Sequence, residues 1–111
     1  MGDNAAVTGR FTGWVDFDPG PGNSSKVSNG SGDVFLSSFS TGLVFDWVAA
    51  LGGSAGEDCG YGLATDDFGN SFVTGSFEGT VDFDPNGGTF TRDSHAMSDV
   101  FINRILNNGL W

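Results

Sequence analysis

The chain has 111 residues, a formal net charge of −10, and four Lys or Arg against fourteen Asp or Glu. No basic patch can form, which argues against phosphate-led nucleic-acid binding and against docking on an anionic membrane surface; no apolar run approaches the roughly 20 residues of a membrane-spanning helix. Nineteen glycines, with many Asn, Asp and Ser, favour short strands and tight turns over helices, and a hydrophobic fraction of 38% with eleven Phe is enough for one packed domain.

In chain order, the first strong signal is Val-Asp-Phe-Asp-Pro at residues 15–19, an alternating strand end stopped by proline. Residues 43–50 (LVFDWVAA) predict a strand, and residues 61–65 (YGLAT) a shorter one. Asp66, Asp67, Gly69 and Asn70 form a turn cluster. Residues 71–77 (SFVTGSF) predict a strand of β-branched and aromatic residues, Glu78-Gly79 a tight turn, and residues 80–84 (TVDFD) a second alternating segment, stopped at Pro85. Residues 99–106 (DVFINRIL) predict the last strand, followed by a turn at Asn107-Asn108-Gly109.

The same pentapeptide returns at residues 81–85, displaced by 66. At that offset residues 7–19 lie over 73–85 with ten of thirteen positions identical, and Asp33-Val34-Phe35 lies over Asp99-Val100-Phe101. Gly42-Leu43 then matches Gly109-Leu110 after a small gap, and Trp47 matches Trp111. The chain therefore holds about 1.7 copies of a unit about 66 residues long, a self-similarity that indicates repeat architecture. We divide the single domain 1–111 into a partial first unit, 1–47, and a second unit, 48–111, truncated at its last strand. The chain is expected to start and stop inside a unit.

The alternation is not one-sided. In residues 99–106, Val100, Ile102 and Leu106 share one face, Phe101 and Ile105 the other. A strand apolar on both faces belongs to a sheet covered on both sides. With no helical periodicity to provide cover, the cover is other sheets. The expectation is an all-β protein of antiparallel, four-stranded, propeller-blade-like sheets in an incomplete ring, with a β-sandwich as the alternative.

The run GYGLATDDFGNSFVTGSFEGTVDFDPNGG, followed by SDVFINRIL and a terminal LW, resembles the bacterial SBBP-type β-propeller repeat, and the first copy carries the same marks. The resemblance implies a four-stranded antiparallel blade per unit, an extracellular or cell-envelope bacterial protein, and an interaction scaffold without defined catalytic residues. Fewer than two blades cannot close a ring, so strand edges and apolar faces would stay open. Self-association, folding of the sheets onto one another, or membership of a longer protein would each cover them; association, with a neighbouring copy supplying the missing strand, is the reading favoured here.

Candidate chemistry is sparse. Asp82, Asp84, Asn86, Gly87 and Asp93 fall at the first, third, fifth, sixth and twelfth positions of a calcium-loop pattern. Pro85 stiffens it, Asp rather than Glu closes it, and the first copy has Gly20 and Val27 where the second has Asn86 and Asp93. The pentapeptide is therefore read mainly as strand geometry, its Val and Phe packed inward and its aspartates facing water. Cys59, the single cysteine, and His95, the single histidine, lie far apart. The functional expectation is a non-catalytic binding or scaffold module that forms homo-oligomers and takes a protein or carbohydrate ligand. The alternatives are a calcium-dependent adhesion module and a hydrolase with a cleft between protomers.

Overall fold

The computed structural model describes residues 4–95 and 97–111. Those residues form ten strands and no helix: β1 (Ala5–Phe11), β2 (Trp14–Asp16), β3 (Ser25–Val27), β4 (Asp33–Ser40), β5 (Val44–Leu51), β6 (Cys59–Thr65), β7 (Ser71–Phe77), β8 (Thr80–Asp82), β9 (Thr91–Asp93) and β10 (Asp99–Ile105). They make two three-stranded sheets, ordered β1-β4-β5 and β10-β7-β6, and two hairpin ribbons, β2-β3 and β8-β9. Every named strand pairing is antiparallel, and no sheet closes on itself.

The offset of 66 is carried into the backbone. Strands β1, β2, β3 and β4 begin 66 residues before β7, β8, β9 and β10. The sequence predicts four strands per blade, whereas each main sheet has three. The first sheet has no counterpart of β6 and the second none of β5 among the described residues. Laid over one another, the two sheets spell a single four-stranded order: β6, then β1 or β7, then β4 or β10, then β5. The division drawn at 47/48 falls inside β5, which pairs with β4 as far as Leu51.

Alternation decides what each sheet buries. In β10 the odd positions Phe101, Asn103 and Ile105 are buried while Val100, Ile102 and Arg104 are exposed. The core is one cluster spanning both sheets: Val34 and Leu36 from β4 meet Val73, Phe77, Val81, Phe83, Phe101 and Ile105, with Trp47 and Leu51 of β5 packed at its margin. Each large apolar side chain fully withdrawn from water contributes about 1.5–3 kcal/mol. Within each unit three phenylalanines interlock, two pairs edge to face and the third tilted. Phe77, Phe83 and Phe101 have ring centroids 5.1, 6.4 and 5.3 Å apart. Phe11, Phe17 and Phe35 repeat the arrangement at 5.1, 6.4 and 5.0 Å.

A buried carboxylate ties the sheets together. Asp58, fully buried, accepts the N–H groups of Gly53 (2.9 Å) and Glu78 (3.1 Å). Its own N–H donates to Gly32 O at 3.0 Å. One residue thus joins the first sheet, the 52–58 connection and the β7–β8 turn. Gly53 is required there, because a Cβ at that position would lie 2.1 Å from Thr80 O. Nearby, Asp33 is 3% exposed; its Oδ2 accepts the Asn29 N–H at 2.9 Å, and its Oδ1 has no partner. Burial, more than the Asp58 charge, pushes the Asp33 carboxyl up to about 6, against the opposing pull of the Asn29 bond.

The β4–β5 turn shows the repeat continuing without a gap. The Leu43 N–H donates to Ser40 O and the Gly109 N–H to Leu106 O, again 66 apart. Leu43 (φ 61°) therefore takes the left-handed backbone place that Gly109 (φ 84°) takes in the second unit. That conformation costs a branched L-residue about 1–2 kcal/mol, and the side chain is 71% exposed, so no packing offsets the cost.

Two predictions follow from these positions. Leu43→Gly relieves the strain, less roughly 0.5–1 kcal/mol of added unfolded-state entropy; the expected net is a gain of up to about 1 kcal/mol, read as a rise of a few degrees in Tm. The second concerns Asp33, whose folded carboxyl holds its proton more tightly than the unfolded one, at about 6 against 3.8. Its contribution is therefore most favourable below about pH 4 and is lost as pH rises through about 6. Asp33→Asn should raise stability at pH 7 by on the order of 1–3 kcal/mol and flatten the fall in Tm between pH 4 and 7. A residual slope of the same sign is left by Asp58, which burial also raises. An unchanged profile in the asparagine variant would contradict the assignment.

Candidate binding site along the edge of β10

The motif aspartates act in backbone closure. Asp82 Oδ1 accepts the N–H groups of Asp84 (3.0 Å) and Phe90 (2.9 Å), and Asp84 Oδ1 accepts that of Asn86 (2.8 Å). In the first unit Asp16 Oδ1 accepts from Asp18 (3.0 Å) and Ser24 (2.9 Å), and Asp18 Oδ1 from Gly20 (2.8 Å). Both aspartates accept the N–H two residues on, a local bond that lets Asp shape turns. They are expected to face water, and Asp16 does; Asp18, Asp82 and Asp84 are half-buried, and all four close the loops between ribbon strands. The Val and Phe between them pack as expected: Val81 and Phe83 are buried.

The remaining calcium-pattern residues have separate tasks. Asn86 donates to Gly109 O at 3.1 Å, and its Oδ1 accepts the Trp111 N–H at 2.6 Å. Asp93 Oδ1 accepts the Thr80 hydroxyl at 2.6 Å. No group of three or more His, Cys, Asp or Glu among the described residues is arranged to hold a metal ion. His95 is almost fully exposed and lies 3.2 Å from Asp99 Oδ2. Among the described residues no hydroxyl or thiol hydrogen-bonds to either member of that pair, and Cys59 sits elsewhere, its Sγ 3.7 Å from Gly60 O. The Asp99 carboxyl is held low by the backbone N–H and ring of His95.

What the structure does assemble is a groove. Strand β4 is paired on both sides, by β1 and by β5, with Val34 opposite Leu51, Phe35 opposite Ala50 and Leu36 opposite Ala49. Among the described residues its counterpart β10 is paired by β7 alone. The vacant side opens into a cavity of about 380 Å³ lined by Phe83, Phe90, Arg92, Asp99, Asn103 and Trp111.

The groove is held from within. Asn103, buried, donates through Nδ2 to Phe83 O at 3.0 Å, and its Oδ1 accepts the Trp111 indole N–H. The Phe90 and Trp111 rings lie 5.0 Å apart, and the Arg92 guanidinium sits 4.0 Å over the Phe90 ring. Both rings stay partly open, at 40% and 42% exposure. The arrangement offers unpaired backbone groups along one wall, an aromatic platform on the other, and charges of both signs: the features that take an extended polypeptide by strand addition.

Sequence reasoning did not single out Phe90, Arg92 or Asn103 as site residues. Their signal was departure from the repeat: at offset 66 they lie over Ser24, Lys26 and Ser37, none of them aromatic. In the first unit the corresponding edge is already covered by β5.

Neither a curated protein nor a solved structure matches the chain. A family model does: the beta-propeller repeat named SBBP matches residues 46–76. That window runs from β5 through the 52–58 connection and β6 into β7, so it spans the joint between the two sheets. Open antiparallel sheets and an offset preserved strand by strand agree with this match, in which residues 46–76 are similar to an SBBP beta-propeller repeat.

Proposed function

We propose that the protein is a binding or scaffold module that acts without catalysis and completes its sheets with extended strands from partners, including other copies of itself. One observation carries this reading. Among the described residues β10 has no partner on its outer edge, whereas β4, its repeat counterpart, is covered by β5 from Val34 to Ser40. The natural occupant is an antiparallel strand resembling β5, apolar at every position but Asp46, with Phe90, Arg92 and Trp111 gripping its side chains. Proteins with this repeat are generally extracellular, and an acidic surface of net charge −10 suits basic partners in that setting.

A synthetic peptide with the β5 sequence, Val44–Leu51, provides the test. Titration followed by calorimetry should show saturable binding. A peptide N-methylated at alternate residues should lose it, because strand addition depends on main-chain donors. Trp111→Ala and Arg92→Ala should each weaken binding by about three- to tenfold. Equal binding of the methylated peptide, or none of either, would remove strand capture as the function.

A further inference from the structure

The contact between the two sheets exists once inside the molecule, closed, and its two sides recur at opposite ends, open. Inside, Val34 and Leu36 of the first sheet face Val73, Phe77, Phe101 and Ile105 of the second. Moving forward by 66 carries Val34 and Leu36 onto Val100 and Ile102. The first pair is 2% and 3% exposed, the second 78% and 76%. Moving back by 66 carries Val73, Phe77, Phe101 and Ile105 onto Val7, Phe11, Phe35 and Phe39. Here Val7 is 47% exposed against 3% for Val73, and with Phe17, Phe35 and Phe39 it lines a shallow cavity of about 280 Å³.

The backbone beneath both surfaces is already correct. The Thr8 hydroxyl donates to Phe35 O at 2.7 Å and the Thr74 hydroxyl to Phe101 O at 2.8 Å, so strand spacing and side-chain direction are reproduced on each. We propose that a second copy of this chain docks by repeating the internal contact, Val100 and Ile102 of one molecule seating on Val7, Phe35 and Phe39 of the next.

A second copy is the occupant because each end displays the mate of the other, in a geometry that the molecule itself shows to be compatible. The patches differ, so the contact is head to tail and extends into a ring or a filament instead of stopping at a two-fold dimer. Among the described residues, β5 and β6, which add Leu51 and Leu63 to the internal contact, have no counterparts on the two outward faces. The interface is therefore smaller than the internal one, and association depends on concentration.

This inference rests on the self-association named above but not on strand capture; Val100 and Ile102 also line the β10 groove, so Val7→Asp, on the other face, is the variant that separates them. Sedimentation of the wild-type protein from about 10 μM to 1 mM should show stepwise growth beyond a dimer. Val7→Asp blocks one end; Val100→Asp with Ile102→Asp blocks the other. All three positions are substantially exposed, so circular dichroism should show each variant folded. Each variant alone should associate about tenfold more weakly or worse, and an equimolar mixture should give a 1:1 dimer that does not grow, since one good end remains on each. A monomeric wild type at 1 mM overturns the inference while leaving peptide binding by β10 to stand or fall separately; Val7→Asp should still bind the β5 peptide. Growth undiminished in both variants, or a mixture that forms no dimer, also overturns it.

Discussion

A β-sheet whose strands are apolar on both faces has to be covered twice, and the rest of this molecule follows from how far that requirement is met. The first sheet covers one face of the second through Val34 and Leu36, and the second returns Phe77, Phe83 and Phe101. Neither sheet has a further neighbour among the described residues. One contact is dry and closed, and the outward faces and the β10 edge are left with hydrophobic side chains and unpaired backbone that water serves poorly.

The polar chemistry serves the same packing. Asp82 and Asp16 hold the ribbon loops, which set Phe83 and Phe17 into their aromatic triads. Asp58 holds the joint, and Asn103 holds the groove wall. Asp58 and Asn103 satisfy backbone and ring donors that burial would otherwise strand, and an unsatisfied buried donor costs about 1–3 kcal/mol. Of the acids that look like ligands in the sequence, Asp82 and Asp84 accept N–H groups of the chain and Asp93 accepts the Thr80 hydroxyl. Among the buried side-chain oxygens of the described residues, Asp33 Oδ1 has no partner.

Much of the fold was legible, because the repeat exposes itself. Identical residues at a fixed offset must take the same strand positions, and the two-sided apolar pattern of DVFINRIL identifies a covered sheet. The number of strands per sheet was less legible. β6 and β5 each occur once, and sequence similarity cannot show which edge of which sheet a single strand will occupy. The Trp47–Trp111 match also dissolves in three dimensions: the Trp47 indole N–H reaches across to Asn107 O, whereas Trp111 lines the β10 groove. The groove escaped notice because Phe90 and Asn103 depart from the repeat, lying over Ser24 and Ser37, and a repeat search rewards agreement. Phe90 over Ser24 reads as noise until the bare edge beside it is seen.

The joint at residues 52–58 also has a geometric meaning. Gly53 lies so close to Thr80 O that no side chain fits, the Gly52–Asp82 and Gly32–Glu57 bridges clamp either side, and Asp58 fastens the middle. Such a joint has little freedom to bend, so it fixes the rotation and rise from one unit to the next. Any assembly that repeats the internal contact inherits that screw operation. Whether copies meet after one turn or climb past each other is then written in a few residues buried between two blades, far from every surface that a partner touches.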